Sequence, residues 1–109
     1  MTTSIGSLEL SALLSVARLE GEAYGLAVRA DVGERMRREY SVGAIYTTLQ
    51  RLEDKGLLTS RTTAPLPVRG GRSRRLFVLT SAGRRAIREA ERRAASIWAG
   101  IGTPHPEPA

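Results

Sequence analysis

Between Ser41 and Gly56 the chain carries a helix whose start, apolar face and stop can all be read. The Ser41 hydroxyl suits an N-cap, where it can accept from a free backbone N–H of the first turn. Ile45, Leu49 and Leu52 follow at i, i+4 and i+7, one face of a 3.6-residue period. Gly56 stands where a left-handed residue ends a helix, so the helix is expected over Val42 to Lys55. Its other face presents Tyr46, Thr47, Gln50 and Arg51. A firm apolar back with a hydrogen-bonding front restricts what the rest of the chain can build around it.

Two more helices precede this one. Residues 7–20 read as helix, with Ser7 as the expected N-cap. Leu10, Leu13, Leu14 and Ala17 form one apolar stripe, and Leu8, Ala12, Val16 and Leu19 form a second. One stripe is enough for a surface helix. Two stripes fit either a buried central helix or a helix that also packs on a second subunit. The next helix is expected from Ala23 to Glu34 or Arg38, with Leu26, Ala27 and Ala30 inward and Gly33 weakening its end.

The period then changes. Leu57 to Thr63 is β-branched and partly alternating, and Arg75 to Leu79 is apolar, so both read as strands. Ala64 to Arg74 holds prolines and glycines and reads as the loop of a hairpin. Thr80 or Ser81 caps a last helix that runs to about Gly100. Residues 102–109 contain three prolines and read as a disordered tail. The 109 residues thus form one α+β unit. Residues 1–80 make the helices and hairpin, 81–101 a C-terminal helix, and 102–109 the tail.

The excess of basic charge is confined to one block. Residues 1–54 hold six arginines and eight acids, and residues 89–109 hold two arginines and three acids. Residues 55–88 hold nine basic residues and no acid. A solvated face usually mixes signs, whereas an acid-free block is an electrostatic footprint for a polyanion. Arg69, Arg72, Arg74 and Arg75 cluster on the hairpin among glycines, which let a backbone approach a phosphate or enter a narrow groove. Arginine suits both contacts.

Other classes have little material. Cysteine is absent, and the one histidine, His105, lies in the proline-rich tail, so no metal site or cofactor is expected. Glu53 and Asp54 are adjacent on a helix end rather than converging, which speaks against an enzyme. The N-terminal MTTSIGSLEL does not read as a secretory signal, and no apolar run is long enough to span a membrane. These features favour a cytoplasmic protein.

Three helices, a hairpin and a helix, in that order, give a winged helix-turn-helix in which the third helix enters the major groove. Ser41, Tyr46, Thr47, Gln50 and Arg51 are the candidates on that helix, and Arg69, Arg72, Arg74 and Arg75 those on the wing. The segments AYGLAVRA, SVGAIYTTLQRLEDKGLL and GGRSRRLFVLTSAGRRAI resemble the PadR family of bacterial transcriptional regulators. The most specific block is Gly43, Tyr46, Leu49, Arg51-Leu52-Glu53 and Gly56-Leu57. Gly71-Arg72, Leu79-Thr80 and Gly83 form a second. The resemblance spans roughly residues 8–101. Thr47 departs from it where proline often follows the tyrosine, as does Leu76-Phe77 where a tyrosine pair is frequent. The resemblance implies a homodimer that binds a double-stranded DNA operator, usually as a repressor, and a short type with a single dimerising helix.

The residues support dimerisation independently. Ile87, Ala90, Ala94, Ile97 and Ile101 recur at spacings of three and four, a narrow heptad-like seam. Such a seam can pack on its own domain or on a second copy. The doubled stripe on the first helix, through Leu8, Ala12 and Val16, favours the second copy. Trp98 near the end of the seam reads as dimer packing or as the wall of a pocket for a flat apolar effector. A winged-helix protein–protein interaction module and a binder of structured RNA are the rival uses of such a chain.

Overall fold

The apolar periods become four helices and a hairpin in the computed structural model, which describes residues 5–64 and 73–101. Their order is α1 (Ser7–Arg18), α2 (Gly25–Met36), α3 (Val42–Asp54), β1 (Leu58–Thr62), β2 (Arg75–Leu79) and α4 (Ser81–Ile101).

Helix α3 is built as its sequence requires. The Ser41 hydroxyl accepts from the Ala44 N–H at 3.0 Å. At the other end Gly56 takes φ +77°, and the Gly56 and Leu57 N–H groups return to the carbonyls of Glu53 and Leu52, each at 2.9 Å. These two bonds close a Schellman turn, with Leu57 packing back toward Leu52. Ile45, Leu49 and Leu52 are fully buried. Each contributes about 1.5–3 kcal/mol relative to exposure.

The start of α1 differs from expectation. Gly6, not Ser7, is the N-cap, and its N–H donates to the Glu9 carboxylate at 3.2 Å. Glu9 also accepts from Lys55 Nζ at 2.8 and 3.1 Å, which joins the start of α1 to the end of α3. The two stripes of α1 have one cause. The helix lies at the centre of the domain, against α2, α3, β2 and α4. Ala12 and Val16 belong to its own core, at 0% and 2% exposure, so they present nothing to a second subunit and leave the dimerisation set. Leu8 is only half-buried.

In α2 the inward residues are Gly25, Val28 and Val32. Leu26 is 62% exposed and Ala30 is exposed, so the expected phase was one to two residues out. Arg37 ends the helix in the left-handed region at φ 53°, and the Arg38 N–H returns to the Gly33 carbonyl at 3.0 Å.

The strands pair antiparallel from Leu58↔Leu79 to Thr62↔Arg75. The segment before α2 extends this small sheet: Tyr24 bridges Leu76, and the Phe77 N–H donates to the Ala23 carbonyl at 3.0 Å. Phe77, Leu76 and Leu58 close the core on that side.

Helix α4 begins at Thr80, whose hydroxyl accepts from the Gly83 N–H at 3.0 Å and donates to the Gly56 carbonyl at 2.7 Å. Gly83 permits this close approach, since a Cβ there would sit 2.2 Å from the Leu57 carbonyl oxygen. Ala82, Ala86 and Ile87 pack against the core. From Glu91 to Ile101 every residue of the helix is exposed. Among the described residues, no helix is long and apolar enough to cross a membrane.

Candidate nucleic-acid interface

The outer face of α3 turns away from the core. Gly43, Tyr46, Thr47, Gln50 and Arg51 are all exposed, over the buried Ile45, Thr48, Leu49 and Leu52. Gly43 costs a helix interior up to about 1 kcal/mol against alanine. A Cβ there would meet nothing within 4 Å, so the fold itself does not require the glycine. The Ser41 hydroxyl is exposed but engaged as the cap.

Helix spacing places Tyr46 and Gln50 on the flank toward the hairpin and Arg51 on the opposite flank. Tyr46 reaches the start of α2. A Cβ on Gly25 would fall 2.1 Å from the Tyr46 hydroxyl, so Gly25 is what admits the ring. Tyr24, Leu26, Val42, Tyr46 and Arg74 line an open groove of roughly 580 Å³ at this junction. Val42 and Leu26 were absent from the candidates read in the sequence. Both are exposed apolar side chains, at 43% and 62%; Leu26 escaped notice because the sequence pointed it inward.

Of the four wing candidates, Arg74 and Arg75 are described, and they have different surroundings. Arg75 is half-buried and committed: its guanidinium pairs with the Glu53 carboxylate, donates to the Ser60 hydroxyl at 2.9 Å and reaches the Gln50 side-chain Oε1 at 3.3 Å. This network straps β2 to α3. Arg74 is exposed, with its guanidinium carbon 3.9 Å from the centre of the Tyr24 ring. Gln50 is also tied by its own amide, which donates to Asp54 at 2.9 Å. Arg69 and Arg72, with Gly70 and Gly71, lie outside the described residues, as does the segment 102–109.

Away from this face, charges are paired for packing. Burial alone would raise the Asp31 carboxyl, but hydrogen bonds from Ser15, Arg18 and Arg35 outweigh it and hold the group below the usual carboxylate range. Ser15 is fully buried, and Arg35 donates to both Ser11 and Ser15, so the network locks α2 onto α1. Glu9 is lowered in the same way, its burial outweighed by the bonds from Lys55 and the Gly6 N–H and by the charges of Lys55 and Arg51. Among the described residues, no cluster of histidine, cysteine or acidic side chains could hold a metal ion.

A buried-backed helix with a polar exposed face, flanked by a strand hairpin rooted in an acid-free basic segment, defines a winged helix-turn-helix DNA-binding domain. The chain belongs to the PadR-like family of transcriptional regulators, whose sequence pattern matches residues 13–89. It is therefore a DNA-binding regulator of transcription. A PadR family regulator from Eggerthella lenta is 26% identical, covering 87% of this chain and 84% of that one, with a TM-score of 0.65. A PadR family regulator from Clostridium difficile is also 26% identical, covering 84% and 88%, with a TM-score of 0.58. A PadR-like regulator from Bacillus cereus, at 20% identity, 86% coverage of each chain and a TM-score of 0.68, shares the fold. No curated protein sequence matches the chain.

Proposed function

We propose that the protein is a homodimeric repressor that binds a dyad-symmetric operator. Residues 1–80 form the DNA-binding domain and residues 81–101 the dimerisation arm. Helix α3 enters the major groove, where Tyr46, Thr47, Gln50 and Arg51 face the bases and backbone, with Ser41 and Gly43 at its leading end. Arg74, with Arg69 and Arg72, grips adjacent phosphates or the minor groove. Arg75 acts chiefly by holding the hairpin to α3. The half-sites lie about one helical turn apart. The site of action is the cytoplasm, beside the DNA.

The observation that carries the reading is the exposed α3 face beside the acid-free hairpin. The second copy is supported by α4. Its apolar stripe runs from the half-buried Ile87 and Ala90 through Ala94 to Ile97 and Ile101, which are 62% and 67% exposed. Leu8 lies at the edge of the domain and completes the set. Trp98, at 49% exposure, is the place where a small apolar effector would enter that interface and release the DNA.

Fluorescence anisotropy on duplex DNA from upstream of the gene, against a scrambled duplex over a salt series, tests the reading. Tight binding that prefers the native duplex and falls steeply with salt is expected. Equal weak binding to both duplexes would overturn it in favour of an interaction module, and preference for structured RNA in competition would point to the other rival. A planar ligand that saturably quenches Trp98 and releases DNA would establish the effector. Absence of any response across a broad panel would remove it.

A further inference from the structure

We propose that Tyr24 is a positioning residue for DNA binding, whose ring holds the Arg74 guanidinium in place to meet a phosphate. The proposal rests on the DNA-binding reading and adds to it a residue outside both the recognition helix and the wing.

Adjacent residues entering a strand point to opposite faces. Arg75 therefore turns in toward Glu53, and Arg74 turns out over α2. The charge of Arg75 is balanced by a carboxylate, whereas Arg74 has no ion pair among the described residues. Its position is nevertheless fixed at both ends. The Arg74 carbonyl accepts from the Thr63 N–H at 2.7 Å and the Thr63 hydroxyl at 3.1 Å. Its guanidinium carbon lies 3.9 Å from the Tyr24 ring centre.

The backbone that carries the ring is itself held. Tyr24 bridges Leu76, its N–H donates to the Glu22 carbonyl at 2.9 Å, and its carbonyl accepts the first α2 bond from Val28 at 2.9 Å. A free arginine side chain loses much rotamer freedom when it binds a phosphate. Stacking on a ring whose backbone is anchored removes part of that loss before DNA arrives. It covers only the flat face of the guanidinium and leaves the N–H donors at its edge available. A hydrogen-bonding partner would have occupied those donors, as Glu53 and Ser60 do for Arg75.

The test is a binding cycle on the upstream duplex with Arg74→Ala, Arg74→Lys, Tyr24→Phe, Tyr24→Leu and Tyr24→Leu/Arg74→Ala, each checked for native circular dichroism. Arg74→Ala is expected to flatten the salt dependence by about 0.9 per bound copy. Tyr24→Phe keeps the ring and binds as the parent does. Tyr24→Leu weakens binding by roughly 2- to 5-fold, the strength of one exposed cation–π contact. Combining it with Arg74→Ala adds nothing further. Arg74→Lys needs no change at the half-buried tyrosine, so it serves even where Tyr24→Leu does not fold. It keeps the salt slope and loses affinity.

The proposal is overturned if the Tyr24 and Arg74 losses simply add, because Tyr24 would then act independently. It is also overturned if Tyr24→Phe loses as much as Tyr24→Leu, if Arg74→Ala leaves the slope intact, or if Arg74→Lys binds as tightly as the parent. Those failures leave the regulator reading standing. A parent protein that shows no salt-dependent, sequence-preferring binding removes both.

Discussion

The two halves of α4 share one apolar stripe and meet opposite environments. From Ser81 to Ile87 the helix is packed on the domain, with Gly83 buried against the Leu57 backbone and Ile87 against the core. From Glu91 to Ile101 the same stripe is bare. The periodicity is continuous across the boundary, so periodicity alone cannot say whether a helix face is covered by its own chain or by another. Burial in the single chain makes that distinction. The near half packs on the fold, and the far half is uncovered in the single chain.

Substitutions that separate the halves should act differently, and the largest effect is expected in the near half. Gly83→Val drives side-chain atoms into the Leu57 carbonyl and should cost about 3 kcal/mol or more, read as a lower urea midpoint with an unchanged slope. A tolerated valine would mean that α4 docks less closely than described. In the far half, Ile97→Glu with Ile101→Glu should leave the domain folded while weakening self-association at least about 100-fold, roughly tenfold for each lost apolar contact. Sedimentation would show one chain where the parent shows two. Loss of folding instead of loss of mass would place that stripe inside the monomer.

Next in size is the polar lock of the domain body. Asp31→Asn removes an anion that serves Ser15, Arg18 and Arg35 and should cost about 1–3 kcal/mol. The carboxyls of Asp31 and Glu9 are lowered in the folded state, so their stabilisation is present above the ordinary carboxylate value. It is lost as pH falls through the lowered folded values. Acid should therefore weaken the domain body, and a pH series of melting temperatures should show a shallower acid limb for Asp31→Asn. An unchanged limb would mean that the network contributes nothing.

The smallest effect is the most discriminating for the candidate interface. Gly43→Ala should raise stability by about 0.5–1 kcal/mol, because the site is open and alanine favours helix. The same change should weaken DNA binding if the backbone there must approach the duplex. Stability and affinity rising together would take Gly43 out of the interface.

Helix α3 was legible because its signals are local: a capping serine, an apolar period and a stopping glycine lie within one segment. The hairpin was legible for the same reason, and the cap of α4 was narrowed to Thr80 or Ser81, of which Thr80 holds it. Helix α2 was legible as an element but not in phase. The sequence pointed Leu26, Ala27 and Ala30 inward, whereas packing against α1 and α3 buries Val28 and Val32 instead. The Ala12 and Val16 stripe was real but was covered by the chain itself, which no single-helix pattern can show. The division of labour between Arg74 and Arg75 was hidden because it depends on Glu53, Ser60 and Tyr24, all distant in sequence.

The Thr80 hydroxyl touches the Gly56 carbonyl just past α3 and the Gly83 amide in the first turn of α4, so one side chain joins the proposed reading helix to the proposed arm. Tilting α3 against α4 would strain one of these two bonds. In a pair joined through the arms, the gauge between the two reading helices would be set by the protein, and a duplex with one base pair inserted between its half-sites would have to deform to match it.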